Sequence, residues 1–153
     1  MKTCVVIPTY NNAGTLTDVI DKVYNYTHDI IVVNDGSTDQ TINILENYRD
    51  RITCISYPDN RGKGAALQTG LDRAREMGFD HSVTIDSDGQ HFPEDIPALL
   101  EAAEAYPEDI ILGRRGTSHD NMAAKSTFAN RFSNFWFAVQ TFRCPGDTQT
   151  GFR

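Results

Sequence analysis

The chain has 153 residues, of which 39% are hydrophobic and 23% charged, a length and balance typical of one globular domain with a substantial core. The formal net charge of −7 argues against a general nucleic-acid-binding protein, which normally presents a basic face. Three scattered cysteines without a CxxC pair argue against a disulfide framework, a structural zinc site and a redox pair.

Targeting and membrane signals are weak in this sequence. No stretch approaches the roughly 18 consecutive apolar residues that span a bilayer. The amino-terminal residues indicate a strand followed by proline rather than a signal peptide. We therefore expect a cytoplasmic, reducing compartment. Cys4 and Cys54 lie inside apolar runs and are interpreted as small buried hydrophobic residues.

Short apolar runs alternate with helical periodicity along the chain. The predicted strands are 3–8, 30–33, 52–57, 83–85 and 110–112, and the predicted helices are 15–26, 40–48, 64–77 and 93–105. Strands of continuous Val and Ile that alternate with helices predict a parallel sheet covered on both faces. Because no repeat, low-complexity tract or linker interrupts the pattern, we expect one domain over 1–153.

Polar segments follow four of the predicted strands. In chain order they are Pro8-Thr9-Tyr10-Asn11-Asn12, Asn34-Asp35-Gly36-Ser37, Asp86-Ser87-Asp88-Gly89 and Gly113-Arg114-Arg115. In open parallel sheets ligands bind at the carboxyl ends of the strands. The sequence therefore predicts a site at this edge.

Asp86 and Asp88 stand two residues apart on an extended segment, so both carboxylates can face one point. Two like charges held close together are unfavourable without a cation nearby. A hard divalent ion, Mg²⁺ or Mn²⁺, bound partly by substrate phosphates meets that need. The alternative is a polar turn, for which Asp-x-Asp-Gly is also suitable. The position after a buried strand, opposite other strand-end acids, favours metal binding.

Asp35 lies between a strand and a helix start, where its carboxylate can accept an N–H of a nucleobase. The alternative is that Asp35, Ser37 or Asp39 only caps the helix. Ser37 or Thr38 is expected to provide that cap, which leaves Asp35 spare for a ligand. Tyr10 is placed either to stack on the base or to close the rim of the core.

Arg61-Gly62-Lys63-Gly64 precedes a helix, and a helix amino terminus with nearby cations favours phosphate. A tight turn with a solvated lysine is an equal alternative. A dinucleotide GxGxxG fingerprint fails because Leu67 stands where a glycine is required. His91 follows the acid pair closely enough to be a metal ligand or a substrate contact, and an ordinary turn residue is the alternative.

Together these segments resemble the family 2 glycosyltransferases of GT-A fold. The resemblance runs through Val5–Asn11, Val32–Asp39, Asn60–Ala66, Asp86–His91 and Gly113–Arg115. The Asp-Gly-Gln-His-x-Pro-Glu-Asp run and the closing segment Asp147–Arg153 resemble in particular the dolichyl- and polyprenyl-phosphate sugar synthases. The resemblance implies a three-layer α/β/α sandwich with a Rossmann-like, mostly parallel sheet.

The resemblance also implies roles for individual residues. Catalysis would involve Asp86, Asp88 and Gln90, with the metal held by the two aspartates of the DXD motif. The nucleotide-binding residues would be Pro8, Tyr10, Asn12, Asp35, Lys63, Asp86, Ser87 and Arg115. Two positions depart from the family pattern, because Asn12 replaces a usual glutamate and Asn34 replaces the first acid of a common pair. Each keeps hydrogen bonding and loses a charge.

The implied reaction is metal-assisted, inverting transfer of a sugar from a UDP- or GDP-linked donor. A lipid phosphate acceptor needs no strong general base, whereas an alcohol needs one. The absence of an obvious base in the sequence favours the phosphate. A polysaccharide or glycolipid acceptor, and a nucleotide-sugar-binding module without activity, remain alternatives; an NAD-dependent dehydrogenase is disfavoured by the failed fingerprint.

The carboxyl-terminal part carries further expectations. Because the relatives continue beyond the motif that ends at Arg153, we expect a chain truncated there. Aromatic residues recur at helical intervals over 125–142, which predicts core or dimer packing first and membrane contact second. Peripheral association with the cytoplasmic face of a membrane is therefore an expectation.

Overall fold

Strands and helices alternate in the computed structural model, which describes residues 2–107 and 109–113. The strands are β1 (Thr3–Thr9), β2 (Ile30–Asn34), β3 (Thr53–Ser56) and β4 (His81–Thr84). The helices are α1 (Leu16–Tyr24), α2 (Thr41–Glu46), α3 (Lys63–Glu76) and α4 (Ile96–Ala105), the last preceded by a 3₁₀ turn over Pro93–Asp95. The predicted alternation is confirmed for these elements.

The four described strands form one parallel sheet in the order β3-β2-β1-β4. Thr9 and Asn34, the last residues of β1 and β2, are paired, so the two strands end side by side. On the other side of β1, Ile85 donates its backbone N–H to the carbonyl of Val6. The loops that follow β1, β2 and β4 therefore begin at one edge of the sheet.

Helices cover both faces of the sheet, as the continuous apolar strands require. One layer packs α1, α2 and α4 against the side of β1 that carries Val5 and Ile7. The other layer packs α3 against the side that carries Cys4 and Val6, where Gly70 permits close approach to Val6. The three-layer α/β/α arrangement is thus confirmed.

The thiols of Cys4 and Cys54 belong to this interior. Cys4 is fully buried and Cys54 is half-buried. Burial raises the pKa of both thiols, which keeps them neutral and unreactive. The interpretation as a small buried hydrophobic residue is confirmed for Cys4, whereas Cys54 is only partly buried against the core.

The predicted fifth strand is wrong. Residues 110–112 are described without strand structure. The Ile110 side chain is 83% exposed, while Ile111 packs against the core. Three apolar residues are too few to carry a period, so the sequence could not distinguish an extended loop from a strand.

The described residues as far as Ile111 belong to one compact unit, and the number of domains in the chain stays a prediction. Arg114, Arg115, Cys144 and the aromatic stretch over 125–142 lie outside the described residues. Among the helices that the structure describes, none has the length and apolar character to cross a membrane.

Candidate functional site

A cavity of about 260 Å³ opens at the edge of the sheet where β1, β2 and β4 end. Its lining consists of Pro8, Thr9, Tyr10, Asn12, Asp35, Asn60, Lys63, Ala66, Asp86, Ser87 and Asp88. Eight of the predicted site residues therefore lie together around one space. Gln90 is exposed two residues beyond Asp88, and the predicted phosphate ligand Arg115 lies outside the described residues.

Asp86 forms close polar contacts in this cavity, and its pKa is shifted. Its carboxylate oxygen Oδ2 lies 2.7 Å from Nζ of Lys63 and 3.5 Å from Nε2 of His91. Burial would by itself raise the pKa of Asp86, but the hydrogen bonds from His91 and Lys63 and the lysine charge outweigh burial and lower the pKa to about 2. Asp86 is therefore an anion at every physiological pH.

Lys63 and His91 approach Asp86 from different segments of the chain. Lys63 is the first residue of α3 and keeps a 54% exposed side chain, whereas the His91 side chain is only 5% exposed. The His91 side chain is thus in a buried contact with Asp86, and its expected role as a metal ligand or substrate contact stays a prediction. Lys63 is more than a solvated turn residue, because it neutralises an acid of the cavity.

Asp88 takes part in a turn as well as lining the cavity. Its Oδ1 accepts the backbone N–H of Gln90 at 2.9 Å. Gly89 between them has φ of +76°, a left-handed conformation that favours glycine. The turn chemistry and the ligand chemistry of this motif are therefore compatible, and Asp88 itself is exposed at the cavity.

The two carboxylates of Asp86 and Asp88 fit a divalent cation whose remaining ligands come from a bound molecule and water. The described residues contain no cluster of three or more His, Cys, Asp or Glu side chains able to hold a metal by themselves. Magnesium sites commonly use one or two carboxylates, with substrate phosphates and water completing the shell. Asp86 and Asp88 line one cavity, and the ammonium of Lys63 already occupies a cationic position beside Asp86.

Asp35 is buried and both of its carboxylate oxygens accept backbone N–H groups. Oδ1 accepts from Arg61 at 2.7 Å and Oδ2 from Gly62 at 2.8 Å. Asp35 is only 3% exposed, and its carboxylate links the end of β2 to the loop that precedes α3. Asp35 is thus not spare, because it already holds this loop, whereas its expected contact with a nucleobase stays a prediction.

Gly36 makes this junction possible. Its φ is +70°, and a Cβ atom there would overlap the backbone of Asp59 and Asn60. In the same loop, the guanidinium of Arg61 stacks 4.4 Å from the centroid of the Tyr57 ring. Close backbone contact and stacking together fix the loop over 59–62 against the sheet.

The predicted helix cap by Ser37 or Thr38 is also wrong. The hydroxyl of Ser37 accepts the backbone N–H of Asn11 at 2.9 Å. The backbone N–H of Thr38 donates to the side-chain carbonyl of Asn11 at 2.8 Å. The first residue of α2, Thr41, instead donates its N–H to Asp39. These contacts bind the loop after β1 to the loop after β2.

Asn12 and Ser87 connect the loops after β1 and β4. The side-chain amide of Asn12 donates to the hydroxyl of Ser87 at 2.7 Å. Thr15 donates its hydroxyl to the backbone carbonyl of Ser87 at 2.6 Å. Asn12 therefore positions the acid motif, in addition to lining the cavity.

Sequence reasoning missed Asn60, Ala66 and Thr15 as site residues. Asn60 and Ala66 line the cavity, and both belong to the Asn60–Ala66 motif, so the motif was a usable signal. Thr15 stands one residue before α1, and no sequence signal distinguishes its contact with Ser87 from ordinary helix capping.

The fold and this site agree with a known protein family. The model of glycosyl transferase family 2 matches residues 4–150, and the chain belongs to this family. Its similarity to S. aureus TarS in complex with UDP-GlcNAc has a TM-score of 0.63 at 24% identity, covering 82% of this chain and 38% of that one. That likeness confirms the GT-A fold.

Relatives of this chain include enzymes named for lipid phosphate acceptors. It is 29% identical to UDP-N-acetylglucosamine–dolichyl-phosphate N-acetylglucosaminyltransferase of Methanococcus voltae, over 97% of this chain and 67% of the relative. It is 32% identical to polyprenol monophosphomannose synthase of Mycolicibacterium smegmatis, over 90% of this chain and 57% of the relative. The chain thus spans between about half and two thirds of these and similar relatives, down to 46% in one case.

Proposed function

We propose that the chain transfers a sugar from a nucleoside diphosphate to a polyprenyl or dolichyl phosphate. The observation that supports this most directly is the convergence of Asp35, Lys63 and Asp86 on one cavity at the carboxyl edge of the sheet. Family membership favours glycosyl transfer, and the names of the relatives favour a lipid phosphate acceptor.

The cavity suits the nucleotide part of such a donor. The amino terminus of α3 and the ammonium of Lys63 lie at its wall, and both favour a diphosphate. Tyr10 is 45% exposed at the rim, where its ring is available to stack on a base. Because ligand sites usually measure roughly 300–1,000 Å³, we expect a complete donor to extend beyond the described lining.

Asp86 and Asp88 are proposed to hold Mg²⁺ or Mn²⁺ together with the donor. When bound, such an ion supplies Lewis-acid stabilisation of the leaving diphosphate. Lys63 adds a positive charge beside the same phosphates, which stabilises the charge that develops on them. Gln90, two residues beyond Asp88, is proposed to contact the donor sugar.

The reaction proposed is a single inverting displacement. An oxygen of the acceptor phosphate forms a bond to the anomeric carbon while the bond from that carbon to the diphosphate breaks, and the diphosphate leaves with the electron pair. An ionised phosphate needs no strong general base. Of the carboxylates that line the described cavity, Asp35 and Asp86 are already engaged and Asp88 is proposed to hold the metal, which favours this acceptor over an alcohol.

A polyprenyl phosphate resides in a membrane, so the proposed acceptor requires contact with the membrane surface. We propose that the protein reaches it as a peripheral protein at the cytoplasmic face. Co-sedimentation with vesicles that contain polyprenyl phosphate, compared with vesicles that lack it, tests this part of the proposal. Equal binding to both would argue against recognition of the acceptor.

Transfer itself is tested with radiolabelled UDP- and GDP-linked sugars, Mn²⁺ and a short-chain polyprenyl phosphate. We expect label to enter the organic phase from one donor class, and to be lost when the free polyprenol replaces its phosphate. Transfer to the alcohol as fast as to the phosphate would contradict the proposed acceptor. Absence of transfer from either donor class would contradict the proposed activity.

A further inference from the structure

Lys63 and Asp86 form a close ion pair between α3 and the loop after β4. Nζ of Lys63 lies 2.7 Å from Oδ2 of Asp86, the carboxylate proposed above to bind a cation. The Asp86 side chain is 19% exposed and that of Lys63 54%. A long, solvent-accessible lysine therefore compensates a largely buried acid.

The ion pair between Lys63 and Asp86 stabilises the charge of Asp86 in the free protein. A carboxylate that is mostly withdrawn from water is unfavourable without a compensating charge. His91 contributes a contact at 3.5 Å to the same oxygen, but Lys63 is the partner that carries a permanent positive charge. The lysine thus occupies the place beside Asp86 that a divalent cation would take.

An ammonium group and a divalent cation repel each other strongly at such distances. Binding of a metal to Asp86 in the free protein must therefore displace Lys63 into solvent. A diphosphate changes this balance, because it offers the displaced ammonium a new anionic partner in the same cavity. The flexible four-carbon stem of lysine permits that movement without a change in the backbone.

We propose that Lys63 is an exchangeable counter-ion of Asp86, which competes with the divalent cation in the free protein and transfers to the donor's diphosphate when the donor binds. This inference rests on the proposed function for the identity of the ligands. Its consequence is that metal and donor bind cooperatively, since each favours the released position of Lys63. By thermodynamic linkage, the donor raises metal affinity by the same factor as the metal raises donor affinity.

The proposal predicts opposite effects of one substitution on the two ligands. In Lys63→Met, Mn²⁺ titrated without nucleotide, with free Mn²⁺ measured by electron paramagnetic resonance, is expected to bind about ten-fold more tightly than in the wild type, because the competing charge is gone. UDP or GDP at saturating Mn²⁺ is expected to bind more weakly. The enhancement of Mn²⁺ binding by nucleotide should shrink in the variant.

Arg73→Met is the matched control. It removes one positive charge from the same helix, but Arg73 forms an exposed pair with Glu76 and does not line the cavity, so its loss should change Mn²⁺ affinity less than about two-fold. Thermal unfolding of both variants checks that they are folded. Unchanged or weaker Mn²⁺ binding in Lys63→Met, or an equal gain in Arg73→Met, would overturn the proposal.

The metal-alone titration also separates this inference from the proposed function. If the wild type binds neither UDP nor GDP, the proposed function fails, whereas a ten-fold gain of Mn²⁺ affinity in Lys63→Met would still support competition at Asp86. If nucleotide binds and transfer occurs but the gain is absent, the exchange of Lys63 fails and the proposed function stands.

Discussion

The carboxylate of Asp35 accepts the backbone N–H of Gly62 at 2.8 Å, although 27 residues separate the two in the chain. The second carboxylate oxygen accepts the neighbouring N–H of Arg61. This contact fixes where α3 begins and hence where Lys63 stands relative to Asp86. Asp35 therefore shapes the cavity as well as lining it.

Replacing Asp35 by Asn turns one acceptor into a donor that faces a backbone N–H. A buried hydrogen bond lost in this way costs about 1–3 kcal/mol of unfolding free energy, measurable by urea denaturation. Because the loop is loosened for every ligand, we expect UDP and GDP to lose affinity by similar factors in calorimetry. A selective loss of one nucleotide, with stability unchanged, would show instead that Asp35 acts on the base alone.

Gly36→Ala tests the backbone contact between the end of β2 and the loop over 59–62. The added methyl group would overlap Asp59 and Asn60, and the residue would keep a left-handed φ of +70°. We expect a loss of roughly 1–3 kcal/mol in unfolding free energy and weaker nucleotide binding. Gly14→Ala is the control, since a Cβ at Gly14 meets nothing within 4 Å. Equal stability of the two variants would contradict the close contact.

The low pKa of Asp86 predicts a pH dependence of stability. Since the pKa falls from its ordinary value of 3.8 to about 2 in the folded protein, ionised Asp86 contributes on the order of 2 kcal/mol. This contribution is complete above about pH 5 and is lost as the pH falls from about 4 to 2. The unfolding free energy of Asp86→Asn should therefore lie below that of the wild type at neutral pH, and this difference should shrink as the pH falls from about 4 to 2. Asp18→Asn, at an exposed pair with Lys22, should show little such change.

A double-mutant cycle tests the bridge between Asn12 and Ser87. Each single alanine variant removes the hydrogen bond of 2.7 Å, so the losses should not add in the double variant. A coupling energy of about 1 kcal/mol in unfolding free energy is expected. Strictly additive losses would mean that the two side chains act independently.

Much of the fold could be predicted because strands that are covered by helices on both faces need continuous apolar runs, which are visible in the sequence. Residues 30–33 of β2 are all apolar and buried, and such a continuous apolar run is typical of a strand covered on both faces. The segment 110–112 shows the limit of this reasoning. Its three apolar residues match a strand in composition, but whether a partner strand pairs with them is a tertiary property that no local pattern carries.

The site was predictable where side chains carry the information. Asp86 and Asp88 follow a buried strand, and their chemistry is visible in the sequence. The contacts of Asp35 were not, because its partners are backbone N–H groups, which almost every residue possesses. The pairing of Lys63 with Asp86 likewise depends on where α3 begins, and that position is set by Asp35 and Gly36.

Metal-dependent binding of a sugar donor at Asp88 is measured by calorimetric titration of UDP- and GDP-linked sugars, with and without Mn²⁺. Wild type and Asp88→Ala are compared. Glu94→Ala, which removes an exposed acid that does not line the cavity, controls for the loss of one charge. We expect Mn²⁺-dependent binding of one donor class by wild type and Glu94→Ala, and almost no binding by Asp88→Ala. Equal donor affinity in wild type and Asp88→Ala would contradict this expectation.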